Sequence, residues 1–296
     1  MDLDAALLES GDRVRIAIVG AGTVGTAVAV RWREAGHTIV GVTGRARTFA
    51  RAARWLPDAP VGDIADVVPD AEVVAIAVPD GAIAATAEEI ADVFRRGAAA
   101  VHFSGALGLE VLGPVVDAGG IALAVHPLQT FADVEGAVEA LRGSAIAVTA
   151  HADDAAALGD RLAADLGGHP FRLEDEDRGA YHAAAVFASN YLVATSAAAL
   201  ELFGAAHVPG ALAAMRSLQE VTLANVQRLG PRDALTGPAV RGDAETIARN
   251  LDAIATTTPN LVAPYVALCR TAMDVAGDRL DGPGRARIEE VLARWS

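Results

Sequence analysis

Short apolar runs alternate with helical patterns through the first 170 residues of the chain. A β-branched run begins at Arg13 and stops at Gly20, where an alanine-rich helical pattern takes over. Further strand-like runs cover residues 37–42, 71–78, 99–103, 121–125, 145–149 and 170–173. Apolar runs of strand length that alternate with helical segments predict an α/β domain with a doubly wound, mostly parallel sheet.

The pattern changes after the acidic residues 174–177. Beyond them the chain has no convincing strand, and helical patterns cover residues 181–203, 210–229, 244–254, 265–276 and 285–295, with proline and glycine at the junctions. We therefore expect a Rossmann domain over residues 11–173 and an all-helical domain over residues 174–296. Helix 181–203 is long enough to cross a bilayer, but polar residues interrupt it and no second span follows, so a buried helix axis is favoured over a membrane segment.

Three glycines follow the first predicted strand at a spacing that suits a dinucleotide. Gly20 can turn the chain, Gly22 can let backbone N–H groups approach a pyrophosphate, and Gly25 can let helix and strand pack closely. Thr23 and Val24 then lie at the helix N-terminus, where unpaired N–H groups favour negative charge. A merely structural turn is the alternative, which the strand and helix on either side disfavour.

The residues after the second predicted strand indicate which dinucleotide binds. Thr43, Arg45 and Arg47 stand where an NAD-binding domain usually places Asp or Glu on the ribose 2′-hydroxyl. A hydroxyl and two guanidinium groups suit a 2′-phosphate instead, because arginine offers a planar fork of donors to phosphate oxygens. We therefore expect NADP(H), with solvated loop charges as the alternative.

Composition removes several classes of function. The formal net charge is −14, which disfavours binding to nucleic acid or to an anionic membrane. All 24 basic residues are arginine, and without lysine a Schiff base or a Walker-type phosphate lysine is excluded. The single cysteine, Cys269, fits a reducing compartment, and residues 1–10 do not resemble a secretory signal. We expect a cytoplasmic protein.

Polar residues at the ends of the predicted strands are the first candidates for chemistry, because ligands of open α/β sheets bind there. They are Asp80, then Ser104, then His126 in the stretch 126–131. We expect Val78, Pro79 and Ser104 to contact the cofactor. An imidazole can exchange a proton near neutral pH. The alternatives are that His126 caps its strand and bonds to backbone, and that Ser104 and Asp80 are turn residues.

The helical half adds further candidates. His182 and Ser189 are seven residues apart, nearly on one face of the predicted helix 181–203, and Asn190 lies further round the axis. Their partners are a substrate or neighbouring backbone, and the sequence does not decide between them. Arg241 can anchor a carboxylate or phosphate, while Asp243 is placed to cap the next helix. No cluster has metal-ligand spacing, so we expect no metal.

With these residues in place, the chain resembles an uncharacterised Rossmann-like family whose second half is a helical domain of unknown function. The matching segments are residues 20–25, 126–131, 181–184, 188–192, 235–238 and 241–243. More distantly it is similar to the 6-phosphogluconate dehydrogenase-like superfamily, including pyrroline-5-carboxylate and ketopantoate reductases and proteins filed as deazaflavin-dependent NADP oxidoreductases. The resemblance implies hydride transfer with NADP, a site between the domains, and homodimers formed through helices.

One departure bears on the mechanism. Hydroxyacid members of that superfamily carry a lysine four residues before an asparagine, whereas Val186 stands four residues before Asn190. If that alignment holds, His182 or His126 must protonate the product, with imidazole and amide polarising a carbonyl or imine. We therefore expect an oxidoreductase that acts on a small anionic carbonyl or imine. The alternative is an NADP-binding sensor or interaction module without turnover.

Overall fold

The structure is a computed structural model that describes residues 13–295. Residues 1–10, which do not resemble a secretory signal, and residues 11–12 of the predicted first domain lie outside the described residues. The side chain of Arg47 also lies outside them, although its backbone is placed in a helix. The described chain divides into two compact units that meet in sequence between Phe187 and Ala188. The domain limits predicted from the sequence, with a boundary at 173/174, stay a prediction.

The first unit is built on a seven-stranded sheet in the order β2-β1-β3-β4-β5-β6-β7. Its strands are Arg15–Val19 (β1), Thr38–Thr43 (β2), Val73–Ile76 (β3), Ala99–His102 (β4), Ile121–Pro127 (β5), Ala145–Thr149 (β6) and His169–Arg172 (β7). Strands β5 and β6 pair antiparallel and the other neighbouring pairs are parallel. The doubly wound, mostly parallel sheet is thereby confirmed.

Helices flank the sheet of the first unit. They are Thr23–Glu34 (α1), Ala46–Trp55 (α2), Ile64–Val67 (α3), Ile83–Ala91 (α4), Gly113–Asp117 (α5), Val134–Leu141 (α6), Asp153–Asp165 (α7) and Arg178–Ala188 (α8). Buried residues form one apolar cluster around Ile16, Ile18 and Trp32 and another around Ile76 and Ile90. Two separate clusters are what a sheet covered on both faces requires.

Helix α1 is tied to the end of helix α7 by two side chains. Arg31 Nε donates to the Leu166 carbonyl at 2.8 Å, and Trp32 Nε1 donates to the Leu162 carbonyl at 2.9 Å. Both side chains are buried. Leu166 is the C-cap of α7, beyond the helical hydrogen bonds, and the Leu162 carbonyl also accepts from the Leu166 N–H at 3.2 Å. The helix that follows the glycine-rich turn is therefore fixed at its far end.

The second unit is all-helical, which also agrees with the predicted fold class. Its helices are Asn190–Ala205 (α9), Ala211–Ala234 (α10), Pro238–Arg241 (α11), Ala244–Thr257 (α12), Val262–Ala276 (α13) and Gly282–Leu292 (α14). Helices α11 to α14 enclose an apolar core that includes Ile247, Leu251 and Met273. The Asp243 side chain accepts from the Thr246 N–H at 3.0 Å, so Asp243 is the N-cap of α12 as expected.

The single helix predicted over residues 181–203 is wrong in two respects. Ser189 has φ −123° and ψ −69°, so α8 ends before it and α9 begins after it. Serine and asparagine compete for backbone hydrogen bonds and favour helix ends, which is consistent with a break at Ser189 and Asn190. The argument that His182 and Ser189 share a face of one helix therefore fails.

The second error concerns burial of the same segment. Residues Asp175–Ala205 form a 31-residue stretch that is long and apolar enough to cross a membrane by length and composition, with a mean hydropathy of 1.5 in its most apolar window. None of that window is buried, so the segment is not the buried axis expected from the sequence.

Candidate functional site

The glycine-rich turn has the geometry that the spacing predicts. Gly20 has φ +95°, and a Cβ there would lie 2.7 Å from the Ala77 carbonyl oxygen. A Cβ on Gly25 would lie 2.3 Å from the Gly20 carbonyl oxygen, so this close contact between turn and helix requires glycine. A Cβ on Gly22 would meet no atom within 4 Å. Open space beside Gly22, at the start of α1, fits the approach of a pyrophosphate to backbone amides.

The residues predicted to select the cofactor lie near this turn. Thr43 ends β2, is buried, and its carbonyl accepts from the Gly20 N–H at 2.9 Å. Arg45 is exposed and forms the N-cap of α2. The Val78 side chain lies against Gly20, while Pro79 is exposed at the start of a short 3-10 turn.

Helix α2 contributes two arginines that the sequence analysis did not select. Arg51 Nη1 donates to the Ala21 carbonyl at 2.8 Å and so reaches the glycine-rich turn directly. Arg51 and Arg54 also line a cavity of about 570 Å³ together with Thr23, at the start of α1, and with Trp55. The basic character of helix 48–55 was the available signal, but only the fold shows which of its arginines face the turn.

Ser104 follows β4 and has every hydrogen-bonding function of its side chain engaged. Its Oγ donates to Asp80 Oδ2 at 2.7 Å and accepts from the N–H groups of Ala106 and Leu107 at 3.2 and 3.1 Å. Ser104 and Asp80 therefore shape the turn after β4, in line with the structural alternative considered for both. The serine is buried and orients the next residue, Gly105.

His102 is a fully buried histidine that the sequence analysis did not select. Its Nδ1 accepts from the Ser104 N–H at 3.2 Å, which places its hydrogen on Nε2, and Nε2 bonds to the Gly108 carbonyl at 3.1 Å. Burial, and then the nearby charge of Arg178, lower the pKa of His102 to about 4. His102 is thus a neutral residue that holds the loop 104–108 in place.

Two of the predicted histidines, His126 and His182, lie beside the backbone of Gly105. A Cβ at Gly105 would lie 2.6 Å from His182 Nδ1 and 2.8 Å from His126 Nε2, so both nitrogens face the backbone of this glycine. The two rings are 6.3 Å apart at an angle of 78°. His182 Nδ1 is buried and has no hydrogen-bond partner within the described residues, which leaves a polar atom for a ligand to satisfy.

His126 lies inside β5 rather than beyond it, which corrects the strand end expected from the sequence. Strand β5 extends three residues past Ala124, the partner of the last residue of β4, and so carries His126 beyond the end of β4. Its Nδ1 bonds to the Tyr181 hydroxyl at 2.7 Å, not to backbone. Burial, followed by the charge of Arg178, lowers the pKa of His126 to about 4.

Arg178 is a buried cation that contacts the loop after β4, and 1% of its surface is exposed. Its Nη1 donates to Thr149 Oγ1 at 2.8 Å and its Nη2 donates to the Ser104 carbonyl. Its Nε has no hydrogen-bond partner within the described residues, and no carboxylate there forms an ion pair with it. Burial lowers the pKa of Arg178, but a guanidinium stays charged in proteins. In the sequence, only the acidic residues 174–177 mark the region around Arg178.

The remaining predicted site residues belong to the second unit. Ser189 and Asn190 lie at the start of α9, where Asn190 is exposed. Arg241 is exposed at the end of α11. Their roles toward a substrate stay predictions, whereas Ser104, His126 and His182 are brought together in the first unit.

Two family models match the chain in succession. Residues 5–127 match a Rossmann-like domain, and residues 144–272 match a domain of unknown function, DUF2520. No curated protein sequence matches the chain.

Several solved structures share the fold. The "putative NADP oxidoreductase BF3122" of Bacteroides fragilis is 26% identical, with a TM-score of 0.77 over 88% of this chain and 98% of that one. An imine reductase from Myxococcus stipitatus in complex with NADP+ is 17% identical, with a TM-score of 0.67 over 95% and 99% of the two chains. A reductive aminase from Aspergillus terreus, in complex with NADPH4, cyclohexanone and allyl amine, is 17% identical, with a TM-score of 0.62 over 96% and 100%.

The buried neutral histidine makes stability depend on pH. The folded pKa of His102 is about 4 and the unfolded value is near 6.5, so the unfolded chain binds more protons between these values. We expect the free energy of unfolding to fall by up to about 3 kcal/mol per such histidine as the pH drops from 7 to 4. Urea unfolding across this range should show a weaker pH dependence in His102→Gln than in the wild type. The exposed His169→Gln is the control, and equal pH dependence in all three proteins would contradict the assignment.

Proposed function

We propose that this chain, which joins a Rossmann-like domain to a DUF2520 domain, is an NADP(H)-dependent oxidoreductase acting on a small anionic carbonyl or imine. The observation that carries the proposal is the convergence of His126 Nε2 and His182 Nδ1 beside Gly105. Gly105 lies just past β4, at the carboxyl edge of the sheet that also carries the glycine-rich turn after β1. A dinucleotide and the substrate that it reduces have to bind next to each other, and the turn and Gly105 lie at the same edge of the sheet.

The residues of the turn suit the cofactor. Backbone N–H groups at Gly22, Thr23 and Val24 would receive the pyrophosphate at the start of α1, and Arg45 and Arg51 are the described arginines placed to meet phosphate charge. When bound, a reduced nicotinamide supplies a hydride. The descriptions of the related structures name NADP oxidoreductase, imine reductase and reductive aminase, which supports this assignment.

The two histidines supply the polar chemistry. Because the pKa of His126 is about 4, its ring is neutral at pH 7 and acts as a hydrogen-bond donor rather than as a charged acid. A substrate oxygen or nitrogen beside Gly105 can contact His126 Nε2, and His182 Nδ1 gains the partner that it lacks within the described chain. Both contacts strengthen as charge develops on that atom.

The second unit supports a further part of the proposal, a cytoplasmic homodimer formed through its helices. Apolar side chains on α9 and α10 are exposed, among them Val193 at 68% and Leu218 at 63%. Gln219 Nε2 donates to Ser196 Oγ at 2.7 Å, so α9 and α10 lie side by side. Extended apolar patches of this kind mark association surfaces.

Substitution of single glycines tests the cofactor site. Gly22→Ala meets no protein atom, so it should leave the unfolding temperature nearly unchanged while its methyl group weakens NADPH binding at least tenfold. Gly25→Ala places a methyl group against backbone and should lower the unfolding temperature.

Calorimetry of the wild type with both nucleotides tests the choice of cofactor. It should show a tenfold to hundredfold preference for NADPH over NADH, because one charge-assisted hydrogen bond to the 2′-phosphate contributes about 1.5–3 kcal/mol. Equal affinity for the two nucleotides, or unchanged binding to Gly22→Ala, would contradict the site.

Turnover tests the reaction. We expect NADPH oxidation with at least one member of a panel of cyclic imines, 2-oxo acids and deazaflavins. His126→Ala and His182→Ala should each lower the rate at least tenfold, a loss of about 1.4 kcal/mol in transition-state stabilisation, with NADPH binding retained. His169→Ala on the exposed end of β7 is the matched control. If no compound reacts while NADPH binds, the chain is a nucleotide-binding module without turnover.

Sedimentation velocity tests the dimer. Charges introduced on α9 by Val193→Glu and on α10 by Leu218→Glu should convert the dimer to monomers, because these charges would be buried on association. Val116→Glu, at an exposed apolar residue of the first unit, should leave the sedimentation coefficient unchanged. A monomeric wild type would refute the dimer without affecting the enzymatic proposal.

A further inference from the structure

Tyr181 is the residue that contacts His126 on the side away from Gly105. Its hydroxyl oxygen lies 2.7 Å from His126 Nδ1, and the two rings are 5.5 Å apart and nearly perpendicular. Phe171 packs edge-on against the tyrosine ring, at 6.0 Å between ring centroids. The ring of Tyr181 and its hydroxyl are therefore each held by a contact.

The direction of this hydrogen bond decides where His126 carries its hydrogen. A neutral imidazole has one N–H, so Nδ1 either accepts from the phenol or donates to it. If Nδ1 donated, the phenol hydrogen would need another acceptor, and Tyr181 has none within the described residues. Donation by the phenol avoids this cost, and it leaves the hydrogen on Nε2, the nitrogen that faces Gly105.

The electrostatic surroundings agree with a protonated phenol. Burial raises the pKa of Tyr181 to about 12, and the charge of Arg178 opposes that rise. The groups that act on His126 are Arg178, His182 and His102, which disfavour its charged form, and Asp80, which favours it. At neutral pH the pair therefore consists of a phenol and a neutral imidazole.

We propose that Tyr181 is the positioning residue of His126: its hydroxyl donates to Nδ1 and thereby fixes the hydrogen on Nε2, the nitrogen that faces the substrate space beside Gly105. The catalytic consequence rests on the proposed function, whereas the position of the hydrogen does not. As the Nε2 hydrogen passes to the substrate heteroatom as a proton, Nδ1 takes the phenol proton and the imidazole stays neutral. The phenolate left behind lies in the field of Arg178, and it takes its proton back from Nδ1 as Nε2 takes a proton from solvent, which restores the starting tautomer.

Nitrogen-15 NMR of the histidine-labelled full chain tests the assignment without any substrate. In the wild type at pH 7, the two-bond correlations of His126 should show a pyrrole-like Nε2 and a pyridine-like Nδ1. The His126 signals are identified by their loss in His126→Asn. A pyrrole-like Nδ1 in the wild type would overturn the proposal, whatever the variants do.

Tyr181→Phe removes only the hydroxyl and keeps the ring that packs on Phe171. It should shift the tautomer ratio toward the Nδ1–H form by roughly fivefold, the typical net effect of one hydrogen bond. Tyr265→Phe is the matched control, because that hydroxyl bonds to Asn250 within the second unit at 2.9 Å, and it should leave the His126 signals unchanged. An unchanged ratio in Tyr181→Phe would also refute the proposal.

Kinetics with any reactive compound of the panel then separate positioning from simple stabilisation. Tyr181→Phe should lower kcat while KM stays within about twofold, because the affected step follows binding. If the tautomer is as stated but no compound reacts, the proposed function fails and the positioning role of Tyr181 stands. If a compound reacts and kcat is unaffected by Tyr181→Phe, the relay through Nδ1 is wrong.

Discussion

A buried guanidinium organises the candidate site of this protein. Arg178 bonds to the Ser104 carbonyl after β4 and to Thr149 at the end of β6, so one side chain links two parts of the sheet edge. Removing it would leave a buried carbonyl and hydroxyl without their donor. Its charge also helps to keep His102 and His126 neutral, which decides the kind of chemistry that these rings can perform. The hydrogen bonding at the ends of two strands and the protonation state of the two histidines thus depend on the same residue.

The neutral state of the histidines distinguishes this site from one built around a lysine or an imidazolium. A charged acid gives up its proton readily, whereas a neutral imidazole donates a hydrogen bond and needs another group to replace the proton that it passes on. His102 is held in one tautomer by backbone groups, and Tyr181 is placed to do the same for His126. The proposed hydride-transfer chemistry therefore does not depend on a lysine.

The parts of the fold that could be predicted depend on local patterns. The apolar runs and the glycines at 20, 22 and 25 follow from short stretches, and the sheet and the turn agree with them. The break at Ser189 was missed because hydropathy continues through it, and the extension of β5 to Pro127 was missed because a proline usually ends a strand. Arg178 and Tyr181 were not selected because their importance comes from residues distant in sequence. No periodicity indicates that Arg178 meets Thr149, or that Arg51 meets the carbonyl of Ala21.

The anchoring of α1 by Arg31 and Trp32 has a consequence for motion in the nucleotide-binding region. The far end of α1 cannot detach without exposing two carbonyls of α7 and a buried tryptophan, so fraying of this helix is suppressed. Backbone amides of α1 and α7 should therefore exchange their hydrogens with solvent as one cooperative group. The backbone amides at the start of α1 therefore form a preorganised surface for a phosphate group.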